Sequence, residues 1–391
     1  MKLRKDIWET IGIGKVSLIT SGYAFKSSQF KDTGIPVIKI KDIKPPIATI
    51  SNSDCIDEID FDTKKLAKYI LKKGDVLIAM TGATIGKVGK YAHDEIALLN
   101  QRVAKIEEVK NLSDIEFLFH SISTDKFVKY SLGRGASTAQ QNISAEVLGQ
   151  FEILLPPLEE QKQIAALFQS IETAMEQVDG QEKNLKALQK NLVNGLLSNE
   201  PEFGNLLNSK NCTPTTFGEI AECDKKYPEH EKEVERFVGL EWIEADNFQL
   251  QGFGLVANGT TFSKRFAKGD VLFGKRRAYL KKVAVADFDG ICSGDILVIR
   301  AKAKKMLQGL LPYYISADAF IQHAVSTSAG SLSPRTKWKD LAELEVSVPD
   351  LRTQEKILEV LQQLETTIAL LKQQKTTLKD LKQKLLNEIL G

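Results

Sequence analysis

The chain has 391 residues, 42% of them hydrophobic and 27% charged, an ordinary globular composition long enough for two or three domains with real cores. Its 53 Lys and Arg face 51 Asp and Glu, so there is no uniform basic coat, and any nucleic-acid binding must come from local clusters. Four dispersed cysteines without a CxxC pair argue against a disulfide framework or a zinc site. No run approaches the roughly 18 apolar residues of a membrane span, so a soluble, cytoplasmic protein is expected.

In chain order, the first 155 residues read as a mixed domain. A polar loop holds Ser21, Tyr23, Lys26 and Ser27. Lys73-Gly74-Asp75-Val76-Leu77-Ile78 is a polar turn feeding a short apolar run, the pattern of a strand entered through a tight turn. Thr81-Gly82-Ala83-Thr84-Ile85-Gly86-Lys87 follows, with small residues, hydroxyls and one cation suited to close approach to a phosphate. Asn100-Gln101-Arg102 and Arg134, Gln140, Gln141 and Asn142 supply amides and cations of the kind that read base edges. Residues 113–132 read as helical, and Glu152-Ile153-Leu154-Leu155-Pro156 as a last strand stopped by proline.

Residues 156–198 then read as one long helix. Ile164, Ile171, Val178, Leu185 and Leu192 recur every seventh residue, with Lys, Glu and Gln filling the other faces, as in a coiled-coil seam. A second mixed domain is expected over 199–348. Lys268-Gly269-Asp270-Val271-Leu272-Phe273 repeats the earlier turn and strand, Val283-Ala284-Val285 and Leu297-Val298-Ile299 read as strands, and 304–326 as helical. This domain holds the densest basic run: Lys264, Arg265, Lys268, Lys275, Arg276, Arg277, Tyr279, Lys281 and Lys282, offset within the run by Asp270 alone. Such a run can neutralise phosphates, and an Arg in it can fork onto guanine. Arg335-Thr336-Lys337-Trp338-Lys339 adds cations and an aromatic. Residues 349–391 form a second long helix with Ile357, Leu364, Leu371, Leu378 and Leu385 at the same seven-residue spacing.

The chain therefore repeats itself. Pro156-Pro157-Leu158-Glu159-Glu160-Gln161-Lys162-Gln163-Ile164 returns as Pro349-Asp350-Leu351-Arg352-Thr353-Gln354-Glu355-Lys356-Ile357. Matched seams favour the two helices packing on each other. About 15 residues join the first helix to the second domain and reach roughly 50 Å, against a helix of about 60 Å. Bringing the chain back to its starting end would consume the whole linker, so an antiparallel pair is expected. The fold class is mixed α/β: two similar domains separated by two long helices in an antiparallel coiled coil, with a pseudo-two-fold arrangement.

No catalytic constellation stands out. Neither Ile11-Gly12-Ile13-Gly14-Lys15 nor Thr81–Lys87 completes a phosphate-binding GxxxxGK[ST], and no GxGxxG follows a strand. The four histidines are dispersed and are expected at the surface or hydrogen-bonded in cores. A scaffold pairing two protein-binding domains would share the helices, and salt-dependent DNA binding separates the two readings.

The doubled Pro-Pro-Leu-x-x-Gln-Lys-x-Ile-type helix start, Gly74-Asp75-Val76-Leu77, Thr81-Gly82-Ala83-Thr84-Ile85-Gly86-Lys87 and Asn100-Gln101-Arg102 resemble the specificity subunits of type I restriction-modification systems. The likeness covers essentially the whole chain. In the second domain Gly274-Lys275-Arg276-Arg277-Ala278-Tyr279 stands where the Thr-Gly-Ala-Thr-Ile-Gly motif falls in the first. The resemblance implies a non-catalytic subunit in which each domain reads one half of a split, asymmetric site in double-stranded DNA. The helix pair would set the gap and dock two modification subunits that methylate adenine, and two restriction subunits would join them. No cofactor would bind this chain; S-adenosylmethionine, ATP and magnesium would serve the partners. DNA-binding residues are expected among Tyr23, Lys26, Thr81, Thr84, Lys87, Gln101, Arg102, Arg134, Gln140, Gln141, Lys264, Lys275, Arg276, Arg277, Tyr279, Lys281, Arg335 and Lys337.

Overall fold

A computed structural model describes residues 3–50, 53–57, 63–135, 142–197, 207, 211–226 and 233–391. The chain divides into two compact units, Met1–Val178 with Gln374–Gly391, and Asp179–Gln373. Two helices, Leu158–Gly195 and Leu351–Leu390, contribute to both. Among the described residues, no helix is long and apolar enough to cross a membrane.

In the first unit, four neighbouring strands run inward from one edge of a sheet: β1 (Ser17–Ser21), β2 (Val76–Ala79), β3 (Val88–Tyr91) and β4 (Val103–Glu108), in the spatial order β1-β4-β2-β3. All four residues of β2 are buried, which is why its sequence is a continuous apolar run and not an alternating one. The second unit repeats this sheet with β5 (Ala221–Cys223), β6 (Val271–Gly274), β7 (Val283–Val285) and β8 (Ile296–Ala301), in the order β5-β8-β6-β7. Even the register returns: Val76 pairs with Ile106, and Val271 with Ile299. Each unit has a second sheet containing one parallel pair, Val37–Ile38 beside Leu98–Leu99 and Phe237–Val238 beside Ile291–Cys292.

Two helical expectations need correction. Residues 113–132 form two helices, Ile115–Ile122 and Asp125–Gly135, because hydroxyls of Ser123 and Thr124 donate to the Phe119 and Ser121 carbonyls at the break. Residues 304–326 become helical only at Leu311, and Leu311–Ser316 and Asp318–Ser326 are separate. Pro312, which has no N–H to give, sits in the first turn of the former.

The long helices begin where proline ends the preceding strand, and Asp350 caps the second by accepting from the Thr353 N–H (2.9 Å). A side chain in the first turns then ties each helix to its own unit. Gln161, 1% exposed, donates from Nε2 to the carbonyls of Leu112 (3.1 Å) and Pro156 (2.9 Å) and accepts from the Asp114 N–H (3.0 Å). Gln354, fully buried, repeats the pattern with Lys305 and Pro349 (2.8 Å each) and the Leu307 N–H (2.9 Å).

In the first unit, Ile164 and Phe168 share a core with Leu386, Ile389 and Leu390, and Lys382 Nζ donates to Glu172 (2.7 Å). In the second, Val193 and Leu196 share a core with Ile357 and Leu361, and Gln189 Nε2 lies 3.5 Å from Glu365. Thus in each unit the start of one long helix packs on the end of the other. Along the seam Ile164, Ile171, Val178, Ile357 and Leu371 are buried, whereas Leu185, Leu192, Leu364, Leu378 and Leu385 are only half-buried. Near the helix ends the burial moves one position on, to Val193 and Leu386. A helix of 3.6 residues per turn drifts about 20° per heptad against a seven-residue repeat, so the seam shifts.

Candidate nucleic-acid interface

The site is built at the loop end of each sheet. In the first unit, Tyr23 bridges to Asn100, its N–H donating to the Leu99 carbonyl (2.8 Å) while its own carbonyl accepts from the Gln101 N–H (2.9 Å). Gly22 makes this approach possible, since a Cβ there would lie 2.2 Å from the Asn100 carbonyl oxygen. The Met80 N–H donates to the Arg102 carbonyl and the Met80 carbonyl accepts from the Ile143 N–H (3.0 Å each), while Thr81 bridges to Asn142. The loops bearing Tyr23, Thr81, Gln101 and Arg102 therefore stand in one row. Gln101, Arg102 and Lys87 are exposed along it.

The Thr81–Lys87 loop is a tight return between β2 and β3, not an open cradle. Gly82 and Gly86 carry the positive φ it needs (68° and 78°), and Ile85 plugs the core. Thr84 Oγ1 donates to the Thr81 carbonyl (3.1 Å), and the Thr81 hydroxyl is buried without a hydrogen-bond partner. Tyr23 packs against Phe25 and Tyr69 with ring centroids 4.9 and 5.5 Å away. Lys26 is exposed in a separate turn, and the Arg134 guanidinium lies 5.7 Å over Tyr130. Gln140 and Gln141 lie outside the described residues.

The second unit builds the same row with different chemistry. Arg276 stands where Thr81 does and bridges to Arg335 as Thr81 does to Asn142. Both arginines converge on Asp295: Arg335 donates at 2.7 and 3.3 Å, and Arg276 Nη1 lies 3.5 Å away. Hydrogen bonding and charge from Arg335 hold the Asp295 carboxyl below the usual carboxylate range despite partial burial. Arg276 also donates to Ser333 Oγ (3.0 and 3.3 Å), and Arg277, at φ 55°, donates its backbone N–H to the Pro334 carbonyl (2.8 Å). Lys281 is left-handed too (φ 50°). Non-glycine residues in this region cost of order 1 kcal/mol or more each and gather at functional sites.

Asp270 is thus not the only charge offsetting the basic run, and it pairs outside it, with Arg300 (2.7 Å). The run is instead balanced by acids distant in sequence: Lys264 by Asp224 (2.7 Å), Arg276 by Asp295, and Lys281 by Asp318. Lys275 is half-buried; Arg277, Tyr279 and Lys337 face outward. Asp295, Ser333 and Asp318 escaped sequence reading because nothing local joins them to the run. The Gln161/Gln354 clamp had a signal, since both copies of the repeat keep glutamine while Glu159, Glu160 and Lys162 become Arg352, Thr353 and Glu355.

Residues 5–187 and 211–380 both match the type I restriction modification DNA specificity domain. The chain belongs to that family. Among curated members it is 30% identical over 203 residues to the type I restriction enzyme MjaVIII specificity subunit of Methanocaldococcus jannaschii, covering 51% of this chain and 47% of that one. It is 31% identical over 188 residues to the EcoBI specificity subunit of Escherichia coli, covering 47% and 35%. The matched stretches thus span under half the length of these two relatives. The fold is shared end to end with the type I restriction-modification S subunit from M. genitalium, at a TM-score of 0.56 and 16% identity over 99% of this chain and 97% of that one.

Proposed function

We propose that this member of the specificity family is a non-catalytic DNA reader in which each unit recognises one half of a bipartite, asymmetric site. The observation that carries this reading is the doubling: one chain bears the same sheet, the same strand register and the same row of loops twice, with different side chains in the row. Thr81, Gln101, Arg102 and Asn142 in one unit give way to Arg276, Asp295 and Arg335 in the other, as two readers of unlike sequences require. Arginines held by a carboxylate present a fixed fork, the geometry that matches guanine O6 and N7. The outward Lys87, Arg277 and Lys337 supply the salt-dependent contacts to phosphate.

In this reading the long helices form an antiparallel coiled coil that sets the gap between the half-sites, supported by the start-against-end packing found in each unit. The helices dock two modification subunits, which methylate adenine with S-adenosylmethionine, and two restriction subunits using ATP and magnesium join them in the cytoplasm. Gel shifts with the chain bound to its modification subunits test the reading. Binding is expected to favour DNA carrying the methylated site and to weaken steeply with salt. Arg335→Ala should lose about 1–3 kcal/mol on that site and little on unrelated DNA. Salt-insensitive or sequence-indifferent binding would instead favour a protein scaffold.

A further inference from the structure

Leu332 is 88% exposed, on the turn between Ala329 and Arg335. Single exposed leucines are common on protein surfaces. This one differs in how it is held. Ala329 and Arg335 exchange two backbone hydrogen bonds (3.1 and 3.0 Å), closing the turn at its base. The Arg276 guanidinium grips Ser333 Oγ on one side of the leucine, and Arg277 Nη2 lies 3.4 Å from the Leu332 carbonyl. The Thr336 N–H, just past the turn, donates to the Lys275 carbonyl (3.1 Å). Thus the residues expected to meet DNA also brace the turn, leaving one apolar side chain at its tip. Serines flank it in sequence on both sides, and it is more exposed than Tyr279 and Leu280, the other large apolar side chains at the surface just beyond Arg277.

We infer that Leu332 is a specificity-determining residue, and that its side chain enters the major groove and packs on the 5-methyl group of one thymine in the half-site read by the second unit. The inference rests on the DNA-reading function proposed above. A groove surface lined by hydrogen-bonding edges offers an isobutyl group one apolar partner, the thymine methyl. The braced backbone means little ordering is lost on contact, and the neighbouring Arg276 and Arg335 approach the same face of the duplex. The contact reads thymine against cytosine, which lacks that methyl.

The test uses the complete complex of this chain with its modification subunits and a duplex bearing its methylation site. Each thymine of the half-site, on either strand, is replaced in turn by deoxyuridine, which removes only the methyl. With the native chain, one position should weaken binding roughly three- to fivefold, the worth of one buried methyl. Leu332→Ala should weaken binding to the unmodified duplex by a similar factor and be indifferent to deoxyuridine at that position, whereas Leu332→Met keeps an apolar tip and retains most of the affinity. Native affinity in Leu332→Ala, together with indifference to every deoxyuridine, would overturn the contact while leaving the DNA-reading function intact. A Leu332-dependent rise in 2-aminopurine fluorescence without a deoxyuridine effect would overturn it in favour of a wedge between stacked bases. Failure of the native complex to prefer its methylated site would overturn both the contact and the reading on which it rests.

Discussion

His120 is fully buried in the first unit, and neither ring nitrogen has a hydrogen-bond partner. Its ring lies 4.6 Å from that of Phe168 on the first long helix, and it is neither at the surface nor hydrogen-bonded as its sequence suggested. Burial, with lesser repulsion from Lys382 and Lys90, lowers its pKa from 6.5 to about 3, so it folds neutral. Stability from this group is therefore complete above pH 6.5 and declines as the pH falls toward 3, because the unfolded chain takes up the proton first. Between pH 6.5 and 5 the loss is about 2 kcal/mol. Urea unfolding of His120→Leu should lack that part of the acid sensitivity. Equal losses in the variant and the native chain would mean the histidine is not held neutral. The basic run of the second unit shows the same limit of legibility at this scale. Composition exposes the cations, but Asp224, Asp295 and Asp318 reach them only through the fold.

At the scale of elements, periodicity was a good guide where one physical rule governs. Seven-residue spacing located both long helices because an apolar stripe returning every seven residues over five heptads fits a long helix and no strand. It misplaced the buried positions near their ends, where drift of the seam and the core of the unit both act on Val193 and Leu386. The breaks at Ser123–Thr124 and before Leu311 depend on local hydroxyl bonds and a proline turn that periodicity does not register. The glutamine clamp is the element-scale device with the clearest consequence. Gln354→Leu should strand the Leu307 N–H and two carbonyls and cost about 2–3 kcal/mol, and Gln161→Leu should do the same in the first unit. Denaturant unfolding reads the loss, and a cost below about 0.5 kcal/mol in both would show that water replaces the clamp.

For the whole molecule, the repeat was the most legible feature, since its copies lie 193 residues apart along the long helices: Gln161 and Gln354, Ile164 and Ile357, Glu172 and Glu365. What the sequence left open was how far the repeat extends into the domains, whose loops share almost no residues. The structure returns the same strand order and register in both. If two readers are held at a distance set by the helices, as proposed, sequencing of methylated adenines in host DNA reveals it most directly. The native chain should yield one bipartite motif with a fixed gap. Adding one heptad to both helices lengthens each by about 10 Å, or about three base pairs at roughly 3.4 Å each. The lengthened chain should methylate the same two half-sites with the gap widened by about three base pairs, or, if the accompanying rotation about the duplex is not accommodated, lose methylation while remaining folded. A single continuous motif in the native chain, or an unchanged gap at full efficiency in the lengthened one, would contradict the account.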